Sequence, residues 1–400
     1  MGGLPCASMH AGTTSPVVRR KFLIVSRAFY PGNSPRANRT TELAKELCRQ
    51  GHQVTVLTPY HAPQAALSAE FGMDFLDLGS GRCPEIPILW RGETRLVLRA
   101  IRRLLWKFFA YPEIETSLRI LQRVPADRNY HCIISIAAPH AVHWGVAWWL
   151  ERNRGCGATW IADCGDPFMG QENDSFSPAF YFRWVEKAFC RRADWITVPT
   201  EGAKDGYYPE FRGKLQVIPQ GFRFEEYESL RSIPQLTDGV TRFAYAGLLI
   251  PGRRDPRKLL AFLVNQDEPF EFHLFTKSRA PVEPYAEQDS RIILHDVIPR
   301  EELLPRLAAM DFLLNIENAG QKQTPSKLID YWLCGRPILS IRSFEFDKAG
   351  VERFLRKDYT GALEINEPDQ YRIENVAAGF IKLTDRAVFR TDEMHVGQHD

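Results

Sequence analysis

KFLIVSRAFYPGNSPRANRTTELAKELCRQGHQVTVL, the stretch from Lys21 to Leu57, decides the fold. Phe22-Leu-Ile-Val25 is a short unbroken apolar run, as a strand shows when both faces of its sheet are covered. Pro31, Gly32, Asn33 and Pro35 mark a loop. Thr41 to Arg49 then sets Leu43, Ala44 and Leu47 at helical spacing, with Gly51 where a C-terminal cap belongs. Val54-Thr-Val-Leu57 resumes as a strand. Strand, helix and strand in so short a span make a βαβ unit, and hence a parallel sheet.

The same alternation continues outward. Cys132–Ile136, Thr159–Ala162 (ending at Asp163), Trp195–Val198 and Leu215–Ile218 read as strands, with helices over Ala141–Leu150 and Tyr181–Cys190. Phe222 to Gly239 is polar and irregular, as a linker is. A second series follows in Arg242–Tyr245, Phe270–Phe275, Arg291–Leu294, Phe312–Asn315 and Pro337–Ser340. The expected organisation is a flexible leader over 1–20, an α/β domain over 21–221, a linker over 222–240 and a second α/β domain over 241–400. A site is expected between the halves, at the carboxyl ends of the strands.

Four hundred residues exceed one ordinary core and suit two. The composition, 44% hydrophobic and 25% charged, is globular. A net charge of +2 gives no bulk attraction to polyanions, so no nucleic-acid partner is expected. The eight cysteines include no Cys-x-x-Cys pair, which points to reduced thiols and a cytoplasmic location. No apolar run reaches the ~18 residues of a spanning helix. Met1 to Arg20 lacks the apolar segment of a signal peptide, and Cys6 stands where a myristoylation motif wants Ser or Thr.

Two segments carry the chemistry. Gln323-Thr-Pro-Ser-Lys-Leu-Ile-Asp-Tyr-Trp-Leu-Cys-Gly-Arg-Pro337 reads as a loop, a helix opened near Pro325 and Ser326, and a stop at Gly335. Unpaired amides at such a helix start suit a diphosphate, Lys327 adds a cation, and Asp330 lies one turn on, where ribose hydroxyls would find it. Ala246-Gly-Leu-Leu-Ile-Pro-Gly-Arg-Arg-Asp-Pro256 is the second phosphate candidate. There Asp255 suits an N-cap, Pro256 the first helical position, and Arg253 and Arg254 face the helix mouth.

The first of these segments resembles the donor-binding motif of the large retaining glycosyltransferase family numbered four, of GT-B fold: two Rossmann-like domains facing each other across a cleft. Asp330, followed by Cys334-Gly-Arg-Pro337, matches the acid that holds the nucleotide ribose in that family. A second family acid, eight residues upstream, is here Lys322. Tyr30-Pro-Gly-Asn-Ser-Pro-Arg-Ala-Asn-Arg39 resembles the acceptor-facing loop after the first strand, and Gly51-His-Gln-Val54 the entry to the second. Trp160-Ile-Ala-Asp-Cys-Gly-Asp-Pro-Phe168 is similar to a Trp-Ile-x-Asp-x-Arg-Asp-Pro-Trp segment of cell-surface polysaccharide transferases, with Gly165 in place of the Arg.

The resemblance implies transfer of a sugar, with retention, from a nucleoside-diphosphate sugar to a lipid-linked or polysaccharide acceptor. Donor contacts fall to Arg253, Arg254, Ser326, Lys327 and Asp330, acceptor contacts to Asn33, Arg36 and Arg39, and catalysis to His140, Asp163 and Asp166. No Asp-x-Asp metal motif occurs, so neither metal nor cofactor is expected beyond the donor. Plainer readings stand beside these: a packed His140 or His143, turn-forming Asp163 and Asp166, solvated arginines at 253 and 254, a surface acid at 330. A nucleotide-sugar 2-epimerase and a degenerate, non-catalytic subunit remain the rival functions. A dinucleotide dehydrogenase is excluded because no Gly-x-Gly-x-x-Gly follows any strand.

One helix stands apart. Between Arg95 and Phe109, Val97, Ile101, Leu104, Leu105 and Phe108 share one face, and Arg95, Arg99, Arg102, Arg103 and Lys107 the other, with no acid among them. The pattern fits a helix lying on the inner, anionic face of a membrane and equally a core helix with a basic back.

Overall fold

The computed structural model describes residues 18–32, 34–84, 95–165, 167–170, 177–317 and 327–385. The quoted stretch folds as β1 (Lys21–Ser26), α1 (Pro35–Arg49) and β2 (Gln53–Thr58), followed by α2 (Gln64–Phe71) and β3 (Asp74–Asp77). Next come α3 (Arg95–Phe109), α4 (Ile114–Arg123), β4 (Cys132–Ile136), α5 (Ala141–Arg152) and β5 (Thr159–Asp163). The half closes with α6 (Phe182–Arg192), β6 (Trp195–Val198) and β7 (Leu215–Val217). Its seven strands run in the order β3-β2-β1-β4-β5-β6-β7, with every pairing parallel.

β4 and β5 are buried along their whole length, which is why their sequences read as continuous apolar runs rather than alternations. Helix α1 starts at Pro35, earlier than the apolar spacing indicates. Ser34 caps it by accepting from the Ala37 amide, and Pro35 supplies a preset φ at the first helical position. Arg36 and Arg39 therefore ride on a helix rather than a loop.

The second half contains β8 (Thr241–Ala246), α7 (Arg257–Leu263), β9 (Phe270–Phe275), α8 (Glu283–Gln288), β10 (Ile292–His295) and α9 (Arg300–Ala308). β11 (Phe312–Ile316), α10 (Lys327–Leu333), β12 (Ile338–Ile341), α11 (Lys348–Leu355) and α12 (Ile373–Leu383) complete it. The five strands form a second parallel sheet, ordered β10-β9-β8-β11-β12. A 3-10 segment, Phe224–Ser232, lies in the expected linker, where Phe224 packs with Ile329 and Leu333 of α10.

The domain expectation needs one correction: residues 241–400 are not a single unit. Phe222 bridges in parallel to Arg372, and α12 returns to the first half. There Ile373, Val376, Ala377 and Phe380 join the core of Phe22, Ile24, Leu43 and Leu47. The apolar face of α12 packs on α1, on Ile218 and on the core of the first sheet, where Phe22 and Leu47 lie more than 300 positions earlier in the chain.

Candidate functional site

At the carboxyl end of β5, Asp163 is fully buried and all its bonds are internal. Arg39 donates to it from Nε at 2.5 Å and from Nη2 at 2.7 Å, and Thr197 Oγ1 donates at 2.6 Å. The remaining Arg39 donors reach the carbonyls of Ile218 (3.0 Å) and Pro219 (2.6 Å). Neither side chain offers an atom to a substrate. Asp163, expected to be catalytic, and Arg39, expected to meet the acceptor, here form a buried tie among α1, β5, β6 and the segment after β7.

Arg36, one turn nearer the cleft, is half-buried. Its guanidinium lies on Gly165: a Cβ there would stand 1.6 Å from Arg36 Nη2. The glycine that replaces the arginine of similar segments is thus covered by an arginine from α1. The same charge is delivered from another element.

His140 and His143 have separate environments. His143 is sealed in the core, its Nδ1 2.8 Å from Ser135 Oγ, its Nε2 3.3 Å from Cys164 Sγ, and its ring stacked on Phe189. Burial, helped by the nearby His140 and Arg36, holds its pKa well below the usual imidazole range, so it is a neutral packing residue. His140 immediately precedes α5, beyond the carboxyl end of β4, and keeps partial exposure beside Phe168 (ring centroids 5.4 Å apart). Of the first half's candidates, Arg36 and His140 retain surface. Asn33 and Asp166 lie outside the described residues.

In the second half, Lys327 opens α10 with its ammonium buried and without a hydrogen-bond partner among the described residues. The nitrogen sits 4.2 Å from the centre of the Tyr245 ring. Burial, and then the charge of Arg254, push its pKa down to about 7. Arg254 also buries an unpartnered Nε. Two cations therefore converge at the carboxyl end of β8 with no carboxylate among the described residues to neutralise them, which is the electrostatic form of an anion site. Arg253 is exposed, and its carbonyl accepts from Ser343 Oγ at 2.7 Å. Asp255 is not an N-cap: α7 starts after Pro256, and the Asp255 carboxylate accepts from the amide and guanidinium of Arg257 and from the Gly252 amide. Ser326 and Lys322 lie outside the described residues.

Asp330 stands one turn along α10, where the spacing puts it, but it has a partner the sequence did not indicate. Arg300, at the start of α9, donates to its Oδ1 from Nε (3.0 Å) and Nη2 (2.6 Å). Burial raises the Asp330 pKa while Arg300 pulls it down. Both bonds end on Oδ1, so Oδ2 keeps its lone pairs. Arg300 Nη1 also reaches Tyr227 Oη at 2.5 Å. Tyr227 and Arg300 line a cavity of about 590 Å³ between the halves, with Gly32 and Glu42 on the other wall. No motif marks Arg300 or Tyr227; only the packing of α9 beside α10 brings them to Asp330.

Residues 37–221 match the family model described as a glycosyl transferase 4-like domain. No curated protein matches the chain. Among solved structures, TarM superposes with a TM-score of 0.54 at 9% identity, covering 92% of this chain and 99% of that one. The lipopolysaccharide outer core galactosyltransferase WaaB, in its apo form, gives 0.53 at 11% identity, covering 91% and 98%. HepE of Anabaena, in complex with UDP and glucose, gives 0.50 at 11% identity, covering 94% and 99%. At such identities the likeness is one of fold: two Rossmann-like domains of GT-B type, matched from end to end.

Proposed function

We propose, from the premise that this chain carries a glycosyl transferase 4-like domain and is a glycosyltransferase, that it moves a sugar from a nucleoside-diphosphate donor held by its second half. The acceptor, carried on a lipid or a growing polysaccharide at the inner face of a membrane, is taken by the first half. One observation supports the donor assignment above the others: the buried Lys327 ammonium beside the half-buried Arg254, with no carboxylate partner for either among the described residues. A diphosphate supplies the missing anion. As the bond to the sugar breaks, negative charge grows on the leaving phosphate, and two cations already in place, the Lys327 ammonium desolvated, stabilise that charge without reorganising. Asp330 Oδ2 accepts from the ribose hydroxyls while Arg300 keeps the carboxylate ionised and oriented. Arg36 and His140 border the acceptor's side of the cleft.

Retention follows from the family resemblance and has front-face substitution as its mechanism, the departing phosphate oxygen taking the acceptor's proton. The electrostatic work is assigned to side chains, so turnover is expected to persist in EDTA. The deciding experiment is a thermal-shift screen against UDP-, GDP-, ADP- and dTDP-sugars, with Lys327→Ala as control. A donor at about 100 times its dissociation constant adds about 2.7 kcal/mol to the fold. One donor should raise the melting temperature of the wild type and leave the variant's unchanged. A panel in which none shifts the wild type removes the donor site.

A further inference from the structure

Helix α3 wears its apolar stripe on the outside. Val97, Ile101, Leu104 and Phe108, which repeat at helical spacing, are 42–60% exposed, while Leu98, Leu105 and Trp106 are the half-buried positions. Trp106 anchors the helix against Phe168, ring centroids 5.9 Å apart. The last turn of α3 is joined to the start of α6: the Ala179 amide donates to the Lys107 carbonyl at 3.0 Å, and Tyr181 Oη to the Phe108 carbonyl. This junction places Phe180 and Trp184 beside the stripe. Their rings meet edge to face at 5.8 Å, and they are 74% and 64% exposed.

An apolar surface of this kind, continuous over two elements, costs free energy in water and marks something that covers it. Its border says what. Arg99, Arg102, Arg103 and Arg183 are exposed around it, and α3 contains no acid. A second copy of the chain meeting this face through a two-fold axis would set arginines against arginines. An anionic lipid surface satisfies both halves of the pattern: the apolar side chains enter the acyl boundary, the aromatic pair settles at headgroup depth, and the guanidinium groups meet phosphates. No helix among the described residues is long and apolar enough to cross a membrane, so attachment of this kind is peripheral.

We propose that α3 and the Phe180–Trp184 corner of α6 form one docking face for an anionic bilayer. The proposal rests on the transferase reading only for its purpose, bringing a lipid-carried acceptor to the first half; the binding is measured with no sugar present. The test is co-sedimentation with phosphatidylcholine vesicles, with and without about a third phosphatidylglycerol. Wild type should pellet with the anionic vesicles and release as salt shortens the screening length. A basic residue at such a surface is worth about fivefold in partitioning, so Arg99→Glu with Arg103→Glu should lower it more than about tenfold. Phe180→Ala with Trp184→Ala should lower it about tenfold with every charge kept. Both variants should melt like the wild type, the changed side chains being exposed, and should keep whatever donor shift the wild type shows. Three results would each overturn the proposal: wild type that stays in the supernatant, variants that pellet as well as wild type, and a dimer in sedimentation velocity that the Phe180/Trp184 variant dissolves while vesicle binding is absent. A donor screen without shifts beside intact vesicle binding would sink the transferase reading alone.

Discussion

Lys327 ties the electrostatics of the proposed anion site to pH. Its pKa in the unliganded fold is about 7, against an ordinary 10.5. A lysine shifted down on folding is held more tightly as a cation by the unfolded chain, so this group disfavours the fold at low pH, and that cost fades as pH rises from about 7 toward 10.5. A bound diphosphate reverses the shift. Donor binding near pH 8 should therefore take up close to one proton, and affinity should fall as pH climbs through the same window. Calorimetry in buffers of different ionisation enthalpy reads the uptake directly; an enthalpy independent of buffer would remove Lys327 from the site. Gly165 makes a second residue-scale prediction. A methyl there meets only the far end of a flexible arginine, so Gly165→Ala should fold normally and push the Arg36 guanidinium off its seat. Transfer should drop as far in Gly165→Ala as in Arg36→Ala, and the double variant should be no worse than either. Additive losses would mean the two act separately.

Between elements, the Arg39–Asp163 pair shows what a residue pattern leaves open. An arginine on the helix after the first strand and an aspartate at a strand end look like site residues. In the fold they lie 124 positions apart in sequence and neutralise each other under complete burial. Removing one member leaves a buried charge without its partner, at about 3–5 kcal/mol. Arg39→Ala and Asp163→Asn should therefore lose that much stability in urea denaturation, each alone and not additively together. A variant with unchanged stability and lost turnover would return Asp163 to catalysis. The helix α1 that carries Arg39 was under-read for a related reason: its first turn is specified by capping chemistry at Ser34 and Pro35, while the apolar periodicity starts only at Leu43.

On the scale of the whole molecule, α12 is a clasp. Phe380 is fully buried in the first half's core, and the Arg39 guanidinium stands 5.6 Å from the centre of its ring. The last described helix of the chain thus supports the packing around the buried ion pair while its sequence neighbours belong to the second half. Phe380→Ala should cost about 3–5 kcal/mol, as a large cavity in a close-packed core does. The loss should appear in the unfolding of the first half, followed through tryptophans such as Trp144 and Trp160, with donor affinity preserved. Equal destabilisation of both halves would show instead that the two unfold as one unit.

By itself the sequence determined what near neighbours encode. Unbroken apolar runs and helical spacing gave the alternation of strands and helices, and hence two parallel sheets. The one-turn spacing of Lys327 and Asp330 put a cation and an acid on one short helix, and the stripe of α3 was amphipathic from its residues alone. Tertiary structure decided what periodicity leaves symmetrical. An apolar stripe is equally content in a core or against lipid, and only the packing of Trp106 turned that of α3 outward. Nor does spacing show that Asp330 is paired with Arg300, thirty residues away. Likewise, a basic residue of a loop and one at a helix start pair up as the proposed anion site only when the second sheet sets Arg254 beside Lys327. Contacts across such distances depend on which helix crosses which strand, and that choice is made by the joint packing of all of them.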